Sequence, residues 1–236
     1  MSTADHAKNL AALLKKLKSR YEPAPLIKRN PMDELLFGLL LWDATTPKAE
    51  AALKRLRDAH VDDNDMRVSR PHELAATMGK LYPRVEERAA RLHAALSDIY
   101  KREHNVTLAP VMAMSKRDAA KYIETLSGLP AFASARWQLM MLESHHMPVD
   151  DRMLSRLLAA GVVEEGDDIE KATGVLQRHI KHEDAVESFV LLQAWSEDPD
   201  SETSPAKPAP AKPGTRKASE DSKKMAPAKK AVGARS

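Results

Sequence analysis

The sequence predicts an all-α body followed by a basic tail that stays disordered. Three observations carry this. Apolar residues recur at helical spacing through most of the first 195 positions, as in Leu10, Leu13, Leu14 and Leu17. Helix-start signals precede those segments: Asn30-Pro31, Thr46-Pro47, and Ser115 with Asp118 three residues on. No convincing period-2 stretch occurs, and Val106-Thr-Leu108 is too short to count as a strand.

Residues 5–20 form an amphipathic helix with Lys15, Lys16 and Lys18 off its apolar face, ended by Tyr21-Glu-Pro-Ala-Pro25. Asn30-Pro31 gives an N-cap and a first-turn proline, with Asp33 and Glu34 at the positive end of the helix dipole. The run Leu35–Trp42 is apolar nearly all round, which predicts a buried central helix with Trp42 in the core. Further helices are expected from Thr46 to about His60, from Ser69 to Gly79, and from Pro83, where Val85, Ala89, Leu92, Leu96 and Ile99 face inward. Ser115 opens one that Leu126-Ser-Gly128 closes, and Ala131–His146 forms the next. Asp150 or Asp151 caps a helix that reaches Gly161. Asp167 or Asp168 caps one carrying Ile169, Ala172, Leu176 and Ile180, and a last runs from about Glu183 to Trp195. That makes about nine or ten helices with short connections.

Of 236 residues, 43% are apolar, enough for a real core. Charge is unevenly spread. Residues 201–236 hold nine of the 37 basic and three of the 34 acidic residues, so the tail carries +6 and the rest −3. The pI of 9.0 therefore belongs to the tail. Its Ala/Pro/Lys/Ser composition cannot offset the entropy of ordering. It resembles the tails of linker histones, with Lys207, Lys212, Arg216, Lys217, Lys223, Lys224, Lys229, Lys230 and Arg235 spaced to attract DNA by counterion release. Solubility is the plainer reading of the same charges.

There is no cysteine, which excludes disulfides, thiolate zinc sites and cysteine-ligated iron–sulfur clusters. No metal site and no cofactor are expected. Met1–Asp5 lacks the basic-then-apolar order of a signal peptide, and Leu35–Trp42 is too short to span a bilayer. A cytoplasmic monomer is expected, at the nucleoid in a bacterium or nuclear in a eukaryote. His145-His146 invites a metal reading, but neighbouring helical positions face apart and no third ligand is spaced to join them.

The central stretch carries the chemistry. Leu126-Ser127-Gly128-Leu129-Pro130-Ala131-Phe132-Ala133 is a tight turn between two helices, and Val149-Asp150 opens the helix after them. With Leu35–Thr46, Gly79-Lys-Leu-Tyr82 and Val149-Asp150-Asp-Arg152, this stretch resembles the helix-hairpin-helix DNA glycosylases, the group that contains endonuclease III. The resemblance covers about residues 30–195. It implies a two-lobed fold over 1–198, with 30–140 as the central lobe bearing the hairpin, 1–29 and 141–198 as the second lobe, and 199–236 as tail. It also implies a double-stranded DNA partner. The hairpin residues Ser127, Gly128, Leu129, Pro130, Ala131 and Phe132 would then lie on the DNA backbone, with Arg136 and Arg152 flanking the groove. Asp150 would support water attack on the glycosidic bond of a flipped base. On residue type alone, Asp150 is equally a helix cap. Phe132 and Trp137 suit either base stacking or the core.

Four departures bear on chemistry. The lysine with which bifunctional members form a Schiff base falls on Phe132 by gapless counting back from Asp150, or on Ala133 with a one-residue shift, and no lysine occurs between Lys121 and Lys171. A monofunctional glycosylase, without strand cleavage, is therefore the active form the resemblance allows. Pro130 replaces a hairpin glycine and has no N–H for a phosphate. Asp43 stands where many members place the glutamine that fills the gap behind a flipped base, and an acid there repels DNA unless turned away or protonated. The four-cysteine cluster loop is missing. The alternative is a non-catalytic DNA-binding or accessory protein on the same fold.

Overall fold

The computed structural model describes residues 3–22 and 27–200, which fall in one compact unit. The expected basic tail, 199–236, lies outside the described residues beyond Asp200. No strand occurs among the described residues. Twelve α-helices follow one another: α1 (Thr3–Arg20), α2 (Pro31–Leu41), α3 (Thr46–Ala59), α4 (Asp63–Val68), α5 (Pro71–Met78), α6 (Val85–Glu103), α7 (Ala109–Met112), α8 (Lys116–Glu124), α9 (Ala131–Met141), α10 (Asp151–Ala159), α11 (Ile169–His179) and α12 (Ala185–Glu197), with a 3₁₀ turn at His182–Asp184.

Caps fix where the helices begin. The side chains of Asn30, Asp62, Ser115, Asp150 and Asp168 accept from the backbone N–H three residues on, satisfying one of the donors that each helix start leaves over. Helix α3 has no such cap. Instead Glu197, at the end of α12, accepts from the Thr46 N–H at 2.8 Å and its hydroxyl at 2.7 Å, placing a carboxylate at the positive end of α3.

Helix α2 is the hub. Leu35, Leu36, Phe37, Leu39, Leu40 and Leu41 are all buried, and α2 packs on α3, α6 and most extensively α9. Gly38 lets α9 come close: a Cβ there would meet the Ala133 backbone at 3.4 Å. Helix α9 is largely buried, and the Trp137 indole, fully buried, donates to the Pro31 carbonyl at 2.9 Å. Helices α1 and α10 pack on α12, α11 packs on α1 and α10, and α12 meets α9 through a Phe132–Phe189 contact with ring centroids 6.3 Å apart.

Several boundaries differ from the sequence reading, each for a physical reason. Helices α4 and α7 carry too few turns to show a period. Helix α6 begins at Val85 rather than Pro83, because Arg84 takes a left-handed conformation (φ 51°) that turns its side chain toward α2. Helix α9 stops at Met141 instead of His146: Glu143 is left-handed (φ 51°), and the chain then runs without helix through Pro148 to reach Asp150. Trp42 is the C-cap of α2 and is only half-buried.

Candidate nucleic-acid interface

The C-terminal end of α2 is held by two side chains from the α5–α6 region. The Tyr82 hydroxyl donates to the Leu40 carbonyl at 2.7 Å. Arg88, fully buried, donates to the carbonyls of Leu39, Leu40, Trp42 and Pro83. No carboxylate lies within salt-bridge distance of Arg88 among the described residues. Its charge is met by the negative end of α2 and by otherwise orphaned carbonyls. Burial lowers its affinity for a proton and raises the Tyr82 phenol to about 12.

That clamp sets the next residue. Asp43 is left-handed (φ 51°), a region aspartate tolerates better than most side chains. Its N–H donates to Asp150 Oδ2 at 3.0 Å, and its own Oδ1 accepts from the Asp151 N–H at 3.1 Å. Asp150 Oδ1 accepts from Met153 N–H at 2.8 Å, and Arg152 stands 3.8 Å from Oδ2. The α2–α3 turn and the start of α10 thus exchange two backbone-to-carboxylate bonds. Asp150 is 0% exposed.

Arg84 closes this clasp from outside, donating to Asp43 Oδ2 at 2.9 Å and standing 3.8 Å from Asp151. Asp43 is therefore turned away from solvent and partnered. Burial raises its pKa, the charges of Asp150 and Asp151 add to the rise, and Arg84 opposes it. Above the same turn, the guanidiniums of Arg84, Arg91 and Arg88 lie 4.5, 5.1 and 5.6 Å from the Trp42 ring centroid.

The hairpin sits against α6. Ser127 N–H donates to Asp98 Oδ2 at 2.8 Å, and Arg91 reaches the Gly128 carbonyl at 3.4 Å. Gly128 has φ 78°, and a Cβ there would lie 2.6 Å from the Arg91 carbonyl oxygen, so no other residue fits. Leu129 is half-buried, Pro130 is the buried N-cap of α9, and Ala131 is exposed. Phe132 is core at 3% exposure.

Arg136 requires a correction. It was expected beside the groove in phosphate reach, yet it is 5% exposed and pairs with the equally buried Glu34 at 2.9 Å. Phe132 lies on the buried face of α9, so a residue one turn beyond it points inward as well. Arg29 joins them, 3.7 Å from Glu34 and bonded to Glu50, with its guanidinium 3.7 Å from the Phe37 ring centroid. Burial pushes Glu34 up in pKa against the pull of Arg136 and Arg29, and lowers Arg136. Arg136, the one charged residue of α9, was the signal for this pair; on α2 the neighbouring Asp33 masked Glu34 as a second first-turn acid. Arg152 is half-buried beside Asp150. Lys207, Lys212, Arg216, Lys217, Lys223, Lys224, Lys229, Lys230 and Arg235 lie outside the described residues.

Three further features went unread in the sequence. A cavity of about 480 Å³ opens between α2, α3 and α12, lined by Tyr21, Phe37, Leu41, Arg136, Phe189 and Glu197 among others; neither Asp150 nor the hairpin lines it. At the α5–α6 loop, Leu81 is 96% exposed next to exposed Lys80. The third is the arginine stack on Trp42. His145 and His146 are half-buried, His146 sharing a bond with Ser144 and His145 edge-on to His182. No group of three or more His, Asp or Glu placed to hold a metal occurs among the described residues, and with no cysteine the chain cannot supply the thiolates of an iron–sulfur cluster. No helix among them is long and apolar enough to cross a membrane.

This arrangement is that of the helix-hairpin-helix DNA glycosylase fold, in its endonuclease III-like form. The chain is similar to endonuclease III trapped in a covalent intermediate with DNA (TM-score 0.61, 15% identity, 83% of this chain and 86% of that one). It is similar also to the Clostridium acetobutylicum 8-oxoguanine glycosylase/lyase in complex with double-stranded DNA (0.62, 13%, 82% and 70%), and to a thermostable thymine-DNA glycosylase (0.57, 15%, 85% and 92%). By sequence, the chain matches no family model and no curated protein.

Proposed function

We propose that this chain binds duplex DNA on a base-excision glycosylase fold and uses Asp150 to hold that fold together, not to hydrolyse a glycosidic bond. The burial of Asp150 carries this reading. A carboxylate that assists water or steadies an oxocarbenium ion has to meet the reacting atoms. This one is closed off from solvent, and two backbone N–H groups occupy its oxygens. Phe132 in the core at the lysine position supports the same conclusion, since no amine stands there for a Schiff base. Asp43, the apparent obstacle to DNA, is neutralised by Arg84. Leu81, an apolar tip beside Lys80, suits insertion between base steps of a bent duplex.

The test is titration of a fluorescent duplex of about two helical turns with the full chain at increasing salt. Log affinity is expected to fall linearly with log salt. Absence of salt-sensitive binding would overturn the reading.

The cavity favours a second reading, in which a flipped base enters between Phe37 and Phe189 and another group assists hydrolysis. A duplex carrying 2-aminopurine distinguishes the two. The second reading requires brightening on binding that persists in Leu81→Ala, whereas the first confines any brightening to unstacking by Leu81, lost in Leu81→Ala.

A further inference from the structure

Resting on the DNA-binding reading above, we propose that Arg84 and Arg91, stacked on Trp42, are the phosphate-gripping residues of this protein. They take over from the hairpin donor that Pro130 removes.

The position is set by the fold. Gly128 lies so close to α6 that the hairpin and the Arg91 turn form one continuous surface, with Arg91 3.4 Å from the Gly128 carbonyl. Arg84 precedes α6, and Arg91 follows two turns later, roughly 10 Å along the helix. Their guanidiniums lie 4.5 and 5.1 Å from the Trp42 ring centroid, and the side chains remain 41% and 37% exposed. Stacking on a half-buried ring fixes each guanidinium fork before any ligand arrives, which lowers the entropic cost of a bidentate phosphate contact.

Their present partners fit the role. Arg91 pairs with the half-exposed Glu87 at 2.9 Å, an i,i+4 pair of little energetic worth that a phosphate can displace. Arg84 holds Asp43 at 2.9 Å and so removes from this face the acid that would repel DNA.

The experiment measures affinity of the full chain for an undamaged duplex against salt. It compares wild type, Arg84→Gln/Arg91→Gln and Arg84→Lys/Arg91→Lys. Loss of two phosphate contacts reduces the log–log slope by about 2 and weakens binding on the order of fiftyfold at 0.1 M salt. The lysine pair is expected to keep the wild-type slope and lose several-fold in affinity. A glutamine pair that matches wild type in slope and affinity overturns the proposal while leaving the DNA-binding reading intact. A wild type that does not bind duplex overturns both. Should the glutamine pair fail to melt cooperatively, Arg91→Gln, which spares the Arg84–Asp43 bond, decides: a slope reduced by about 1 supports the proposal, and an unchanged slope overturns it.

Discussion

Asp43 and Asp150 face each other across the junction of the α2–α3 turn and α10, and each accepts a backbone N–H offered by the other's segment. Two predictions follow from that geometry. Asp150→Ala removes a helix cap and strands the Asp43 N–H, and is expected to cost about 2 kcal/mol or more in urea unfolding. Asp43 has its pKa raised by burial and by two neighbouring carboxylates, so its charged form works against the fold. A raised carboxyl contributes stability that is present below its unfolded value of 3.8 and is lost as pH rises through the folded value. The melting temperature of Asp43→Asn should therefore gain on wild type as pH rises through that window. A constant difference would show that Asp43 is not perturbed. The cap at Asp150 was legible as one of two readings of a Val-Asp pair. The bond from Asp43 was not, because it joins residues 107 apart in sequence through a left-handed backbone that no local signal announces.

At the scale of elements, α2 and α9 show what patterning can and cannot tell. The α2 run read as buried from apolar residues on nearly every face, and it is; α9, whose Phe132 and Trp137 suited either base stacking or the core, is largely buried as well. The caps at Asn30 and Ser115 placed their helices because a side-chain oxygen three residues before a free N–H is a local arrangement. Glu34 and Arg136 were misread for the opposite reason. The acid looked like a first-turn dipole partner and the base like a groove residue, whereas each is the other's counter-ion across the α2–α9 contact. Arg136→Ala leaves Glu34 buried with only the more distant Arg29, and is expected to cost about 3–5 kcal/mol by chemical denaturation. The paired replacement Glu34→Leu/Arg136→Met should cost much less. If the two cost the same, the ion pair is not the source of the loss. Gly128→Ala tests the hairpin against α6 in the same way. A Cβ 2.6 Å from a backbone oxygen at positive φ should cost about 2 kcal/mol or more.

For the molecule as a whole, the helix-hairpin-helix glycosylase fold was legible from the order and spacing of weak motifs, none of them specific alone. The cavity at α12 was not, because it depends on how helices remote in sequence meet. Charge organises the chain on this largest scale: 201–236 carries +6 and the remainder −3. Deleting 201–236 is expected to lower the salt slope of duplex binding by several units, each lost phosphate contact accounting for about 0.9. The residual slope would then be that of the Arg84–Arg91 surface. An unchanged slope would assign the tail to solubility.

The proposed DNA-binding role on a glycosylase fold leaves Asp150 committed to structure. Single-turnover incubation of wild type and Asp150→Asn with a panel of lesion-bearing duplexes, followed by alkali to reveal abasic sites, tests it most directly. Salt-sensitive binding with no base released by either protein is expected. Base release by wild type that a folded Asp150→Asn loses would contradict it and identify a monofunctional glycosylase.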